Sequence, residues 1–426
     1  MVYGAALLLF FVLFLRKENA SSSVSPALVF FLCLMGYEIL RASLAGVRSV
    51  ARSHPYLTSP LSWSFYLGFL ALSFSYFRTR RRAQHLLWVL VAAGFFLALN
   101  AIPFLLTQWR GFLPEGGQAG FFHPLFLSWE PLSKYLFSRF VHPNYTGDIM
   151  ALGLFPALAL FSYQLRALRN PEEREKGLRR ILIPIFFTET AASVIALAVI
   201  SFLSRGTIIS LSVGLSCFLL GALTKFPSRA QWVRLLVGSF IVVGILLWAG
   251  SLPSVWKELA TLQLEMKSFK EKIDLTRPAY SGEVSLEGGR RALAIYRAHP
   301  IWGVGTHGYP LVSESYATPG TEGGWGMGAA KFSSLCYYLQ LLAEEGLGAY
   351  LYFLFLLAYG IEVGRGLFIT RSRFQFLAAL SLVSGVLMIL FHAAFGVHME
   401  RFSTSMLTYI LMGASLGILR KDFKHV

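Results

Sequence analysis

The sequence predicts an all-α membrane protein, with about eleven transmembrane helices and one long extracytoplasmic loop containing short helices. First, 55% of the 426 residues are hydrophobic and only 14% are charged, where a soluble chain carries roughly a quarter charged residues. Mean hydropathy is +0.58. Second, the apolar runs are continuous and approach the ~20 residues that cross a bilayer core of about 30 Å, without the alternation of barrel strands. Third, the basic residues gather in alternate loops.

Along the chain the apolar runs lie near residues 3–15, 25–45, 58–77, 85–107, 145–165, 181–202, 206–224, 235–252, 335–364, 375–396 and 402–419. The run 3–15 has no basic region before it and reads as a short first span, not as a cleavable signal. The loops starting at residues 16, 78, 166, 225, 365 and 420 hold 21 of the 38 Lys and Arg. Basic residues in short loops stay cytoplasmic, so these six loops face the cytoplasm, the C-terminus is inside and the N-terminus, after an odd number of spans, is outside. The formal net charge of +16 is a topology signal plus attraction to anionic membrane lipids, and it needs no nucleic-acid partner. Cys33, Cys217 and Cys336 stand in apolar segments without Cys-x-x-Cys spacing, which argues against a disulfide framework or a zinc site. Transmembrane helices 1–252, an extracytoplasmic loop 253–333 and transmembrane helices 334–426 are the expected divisions.

The outer face then receives the segment 108–143, the turn Ser204–Arg205–Gly206, the loop 253–333 and the link His398–Arg401. A loop of about eighty residues is too long for a connector and is expected to be functional. Within it, Val255, Leu259, Leu262, Met266 and Phe269 recur at spacings of three and four, an amphipathic pattern that suits the membrane surface over 254–273. A second helix is expected over 289–298, stopped by Pro300 and Gly303. The Gly303–Val304–Gly305 turn reads as architecture, because it lacks the lysine and helix opening of a phosphate loop. Glu38 and Glu189 fall inside apolar runs, where an ionisable group costs about 2.5–3.5 kcal/mol, so each is expected to face a partner or cavity.

Four stretches, "VHPNYTGDIMALGLFPALAL" (141–160), "SFLSRGTIISLSVGL" (201–215), "GRRALAIYRAHPIWGVGTHGYP" (289–310) and "YYLQLLAEEGLGAYLYFLFLL" (337–357), occur in an order and membrane context that resembles the O-antigen ligase and polymerase superfamily. The resemblance covers roughly residues 85 to 420. It implies a glycosyltransferase at the inner membrane of bacteria, acting on its outer side. Its donor would be a polyprenyl-diphosphate-linked glycan, its acceptor a glycan or lipid-linked group. No cofactor and no metal are implied.

Within that resemblance Arg205 matches the family's arginine in the Ser-Arg-Gly turn, and Arg290 or Arg291 matches a second arginine in the outer loop. A guanidinium keeps its charge and donates two parallel hydrogen bonds to phosphate, so two of them would clamp the diphosphate and neutralise the charge that builds on the leaving oxygen. The family's histidine before the "YLQLLAEEG" helix is absent, since Leu335 and Cys336 occupy those positions. His307 and His142 are the candidate substitutes, as imidazoles suit general-base work near neutral pH. Substrate contacts are expected from His142, Asn144, Arg297, Tyr338 and Gln340. Blander roles stand beside these: Arg205 as a snorkelling residue, His142 to Asn144 as a helix cap, Arg297 and His299 as surface residues, His392 and His398 as interfacial caps, and Asp148 as a base or a first-turn charge. The missing histidine leaves ligase against repeat-unit polymerase open. A secondary transporter is the further alternative, though it would be expected to show repeated halves.

Overall fold

A computed structural model describes residues 25–46, 54–110, 143–168, 178–201, 205–225, 278–318, 333–334, 336–394, 396, 402–420 and 423. The structure is all-helical. Its elements are α1 (Pro26–Gly46), α2 (His54–Tyr76), α3 (Arg80–Arg110), α4 (Pro143–Ala167), α5 (Leu178–Ser201), α6 (Arg205–Lys225), α7 (Pro278–Ala298), the short α8 (Tyr309–Val312) followed by a 3₁₀ turn (Ser313–Tyr316), α9 (Tyr337–Glu345), α10 (Leu347–Ile369), α11 (Arg373–His392) and α12 (Phe402–Ile418). Among the described residues five stretches are long and apolar enough to cross a membrane: Arg80–Leu99, Gly147–Arg166, Ile181–Val199, Leu347–Ile369 and Arg373–His392. Two shorter apolar stretches, Ile209–Lys225 and Thr404–Ile418, pack with them. The apolar runs 3–15 and 235–252 and the amphipathic segment 254–273 lie outside the described residues.

Two expectations need correction. The apolar run 335–364 is not one helix: it divides at Gly346, whose φ is +56°. A Cβ there would sit 2.5 Å from the Ile301 carbonyl oxygen and 2.7 Å from the Gly303 nitrogen, so only glycine fits the break. The outer-loop helix expected over 289–298 starts earlier, at Pro278, and ends as expected at Ala298, before Pro300.

Close helix contact is made by small residues, as it must be where lipid offers no hydrophobic drive between spans. Gly413 and Gly417 of α12 press on α2, where added Cβ atoms would fall 2.2 Å from the Leu70 carbonyl oxygen and 2.5 Å from that of Phe74. Gly94 of α3 meets Gly153 of α4 in the same way, and Gly214 of α6 lies against Ser384 of α11. The central helix is α11, buried along most of its length. Large apolar side chains instead cover the outside of the bundle, among them Ile183, Phe186, Leu357 and Ile361, as a lipid solvent demands.

The bundle has two chemically different ends. At one, Arg80 donates to the Tyr163 hydroxyl (2.5 Å) and lies over the Phe374 ring, Arg420 lies over Phe74, and Lys225 donates to the Leu367 and Phe368 carbonyls (2.9 and 3.0 Å). Arg80, Lys225, Arg420, the end of α10 and the start of α11 therefore gather there. The opposite end holds the starts of α4, α6, α10 and α12, the last residues of α1 and α11, and the whole of α7 to α9.

Candidate functional site

Helix α9 bridges the ends of α11 and α10. At its start the Tyr337 N–H donates to the carbonyls of Ala393 (3.0 Å) and Gly396 (3.3 Å), and the Tyr338 hydroxyl donates to the Leu390 carbonyl (2.6 Å). Burial and neighbouring Cys336 push the Tyr338 phenol up, so it stays a donor. At its other end, Gly346 turns the chain directly into α10.

Alongside α9 runs α7. Ala292 and Ile295 form a small core with Val304, Tyr309 and Ala343, and Gly288 lies so close to Ser334 that a Cβ would meet the Ser334 carbonyl oxygen at 2.8 Å. The Tyr309 hydroxyl donates to the Gly288 carbonyl at 3.1 Å. The exposed face of α7 carries Leu286, Arg290, Leu293 and Arg297; its buried face carries Glu287 and Arg291.

The "GVGTHGYP" turn is fastened to the end of α9. Val304 and Gly305 donate to the carbonyls of Ala343 (3.0 Å) and Glu344 (2.9 Å), and Gly303, at φ +59°, would carry a Cβ 2.1 Å from the Glu344 oxygen. The Glu344 carboxylate accepts from the N–H groups of His307 (3.0 Å) and Tyr309 (3.2 Å) and from Gln340 (3.1 Å). Beside it, buried Arg41 of α1 pairs with Glu38 (2.6 Å) and Glu345 (2.5 Å) and donates to the Glu344 and Trp302 carbonyls. Two carboxylates share one guanidinium, and the Glu344 carboxylate lies beside them. Burial, then the Glu345 charge, push Glu344 up to about 7 against its three N–H donors.

At the start of α9 lies a second polar group that joins three helices. His392, the last residue of α11, places Nδ1 2.8 Å from both carboxylate oxygens of Asp148 in the first turns of α4, and each residue is 1% exposed. The Thr207 side chain hydrogen bonds the same carboxylate, and Gly147 leaves space for it, since a Cβ there would meet Thr207 at 3.1 Å. Thr207 stands two residues after Arg205, which opens α6. Contacts thus run from α6 through Asp148 and His392 to the start of α9, and from Ser334 to Gly288 on α7, two residues before Arg290.

The sequence candidates separate accordingly. Arg290 and Arg297 are exposed on α7, whereas Arg291 is 3% exposed and donates to Glu287 at 2.8 Å. Gln340 is buried, accepts from Ser333 (3.3 Å) and the Ser334 N–H (3.1 Å), and so serves the fold of α9. His307 is exposed at φ +59° and is fastened to Glu344 near the end of α9, whereas His392 lies by its start. Arg205 and Asn144 are placed by their helix backbones; their side chains, with His142 and His398, lie outside the described residues. Glu38 has its partner in Arg41, while Glu189 is on the exposed face of α5. His392 is no interfacial cap: it is buried on Asp148. Among the described residues no group of three His, Cys, Asp or Glu is placed to hold a metal ion. No protein-family model matches the sequence, and no curated protein matches it.

Proposed function

We propose that the chain is a membrane glycosyltransferase that moves a polyprenyl-diphosphate-linked oligo- or polysaccharide to an acceptor on the outer side of the bacterial inner membrane, without a metal. One observation carries this reading: the start of α6 with Arg205 and the exposed face of α7 with Arg290 lie at one end of the bundle, linked by a run of hydrogen bonds and close packing through Asp148, His392 and the start of α9. The other end carries Arg80, Lys225 and Arg420, and the preference of Lys and Arg for the cytoplasm supports reading the site end as the outer one.

The chemistry requires fixed positive charge. As the acceptor hydroxyl attacks the anomeric carbon and the bond to the diphosphate breaks, negative charge builds on the leaving phosphate oxygen. Two guanidiniums held at that oxygen stabilise it. The N-terminal N–H groups of α6, a helix of 21 residues, add partial positive charge at the same place. Transfer to a growing glycan would make the protein a repeat-unit polymerase instead of a ligase, and Leu335 and Cys336 at the family's histidine position favour that second reading or an unusual acceptor. Separating surface polysaccharide by size after deletion of the gene tests both. Loss of chain length marks a polymerase, loss of attachment a ligase, and an unchanged profile contradicts the proposal.

A further inference from the structure

We infer that Asp148, held by His392, is a positioning residue that sets where Arg205 stands, acting through the hydroxyl of Thr207. The inference rests on the proposed role of Arg205. Ionisable groups within a span are costly and cluster where they serve function, yet the chain buries a carboxylate and an imidazole together at the end of α11, 244 residues apart in sequence. Bonding of both carboxylate oxygens to Nδ1 at 2.8 Å fixes the plane of the carboxyl group. The carboxylate can then present a fixed acceptor to Thr207. Thr207 lies in the first turn of α6, where intrahelical bonds are fewest and the backbone is easiest to shift. Its hydroxyl bond to Asp148 ties that turn to α4 and α11, and Gly147 lets the two helix starts approach. The tie is polar and directional, unlike the glycine contacts deeper in the bundle, so it specifies rotation as well as separation. A displacement of about 1 Å at a group that binds a transition state can cost ~10²-fold in rate.

The test uses two substitutions that separate hydroxyl from packing. Thr207→Val keeps the shape and removes the hydroxyl; Thr207→Ser keeps the hydroxyl and removes the methyl that lies near Gly147. Transfer by the full-length protein in detergent is measured with a polyprenyl-diphosphate glycan donor, alongside thermal melting. A positioning role predicts that T207V loses about 10²-fold in kcat/KM, that T207S stays within about threefold of wild type, and that D148N behaves as T207V. In an R205K background T207V should cost far less than in wild type, because the group it positions is already compromised. Loss in T207S with retention in T207V, equal behaviour of the two, or full additivity with R205K overturns the inference. If R205A itself transfers at the wild-type rate, the proposed function fails; if R205A is inactive and T207V is normal, only the inference fails.

Discussion

Arg291 donates to Glu287 at 2.8 Å with each side chain 3% exposed, while Arg290, the next residue, stands on the open face of the same helix. Two adjacent arginines that sequence could not tell apart are thereby divided between a buried ion pair and the open face of α7. Burial alone would raise the Glu287 carboxyl, but the Thr318 N–H, Arg291 and the Thr318 hydroxyl outweigh it and hold it down to about 2.

Arg290→Ala is expected to remove most glycan transfer while leaving the melting temperature within about 1 °C of wild type, as exposed substitutions change stability by under ~0.5 kcal/mol. Arg291→Ala leaves the buried Glu287 carboxylate with the Thr318 donors but without its cation, and breaking the buried pair should cost about 3 kcal/mol in the packing of α7 on α9. Limited proteolysis of the 278–318 segment reads the difference. Equal protection of both variants would undo the division of roles.

Glu344 gives a pH dependence with a definite sign. Its carboxyl is at about 7 in the fold against an ordinary 4.5, so the folded state holds the proton more tightly than the unfolded chain. Stability is then greatest below about 4.5, falls as pH rises from there to about 7, and levels off above. Melting followed from pH 8 down to pH 5 should rise by a shift that Glu344→Gln largely removes, since the amide mimics the protonated form. An identical pH profile in wild type and E344Q contradicts the buried, carboxylate-crowded site.

Much of the fold is legible in the sequence because lipid imposes long apolar runs: nine of the eleven runs fall on described helices. The break at Gly346 is hidden because apolar residues continue on both sides, and only the glycine after Glu344 and Glu345 signals it. Glu38 is recognisable as needing a partner, and Arg41, one helical turn on, is the partner. Asp148 with His392 is a different case. Neither residue has a motif that points to the other, and the contact spans 244 residues, so only the antiparallel order of the spans brings the two together.

Packing at the α2–α12 contact is expected to be intolerant of side chains. Gly413→Leu would drive atoms into the Leu70 carbonyl, and should lower the melting temperature in detergent by several degrees. Gly360→Ala is the control, with nothing within 4 Å of the added Cβ, and should melt as wild type. A normal G413L protein would mean that α12 does not press on α2.

The proposed function predicts transfer without a metal, from the charge expected around the site. In 253–333 the acids Glu258, Glu265, Glu271, Asp274, Glu283, Glu287, Glu314 and Glu322 form no Asp-x-Asp pair, and Glu287 is committed to Arg291 and Thr318. Transfer by purified protein should continue in excess EDTA. Complete loss with full recovery on adding magnesium or manganese would rule out arginines as the sole neutralising charge.

The most direct measurement is transfer in vitro from a polyprenyl-diphosphate-linked glycan by wild type, Arg205→Ala and Arg205→Lys, each checked for insertion and melting. The proposed function predicts that R205A is inactive yet folded. It also predicts that R205K recovers little, because an ammonium is a point charge that cannot reproduce two parallel bonds to phosphate. Near-wild-type transfer by folded R205A would reduce Arg205 to a membrane anchor and contradict the account.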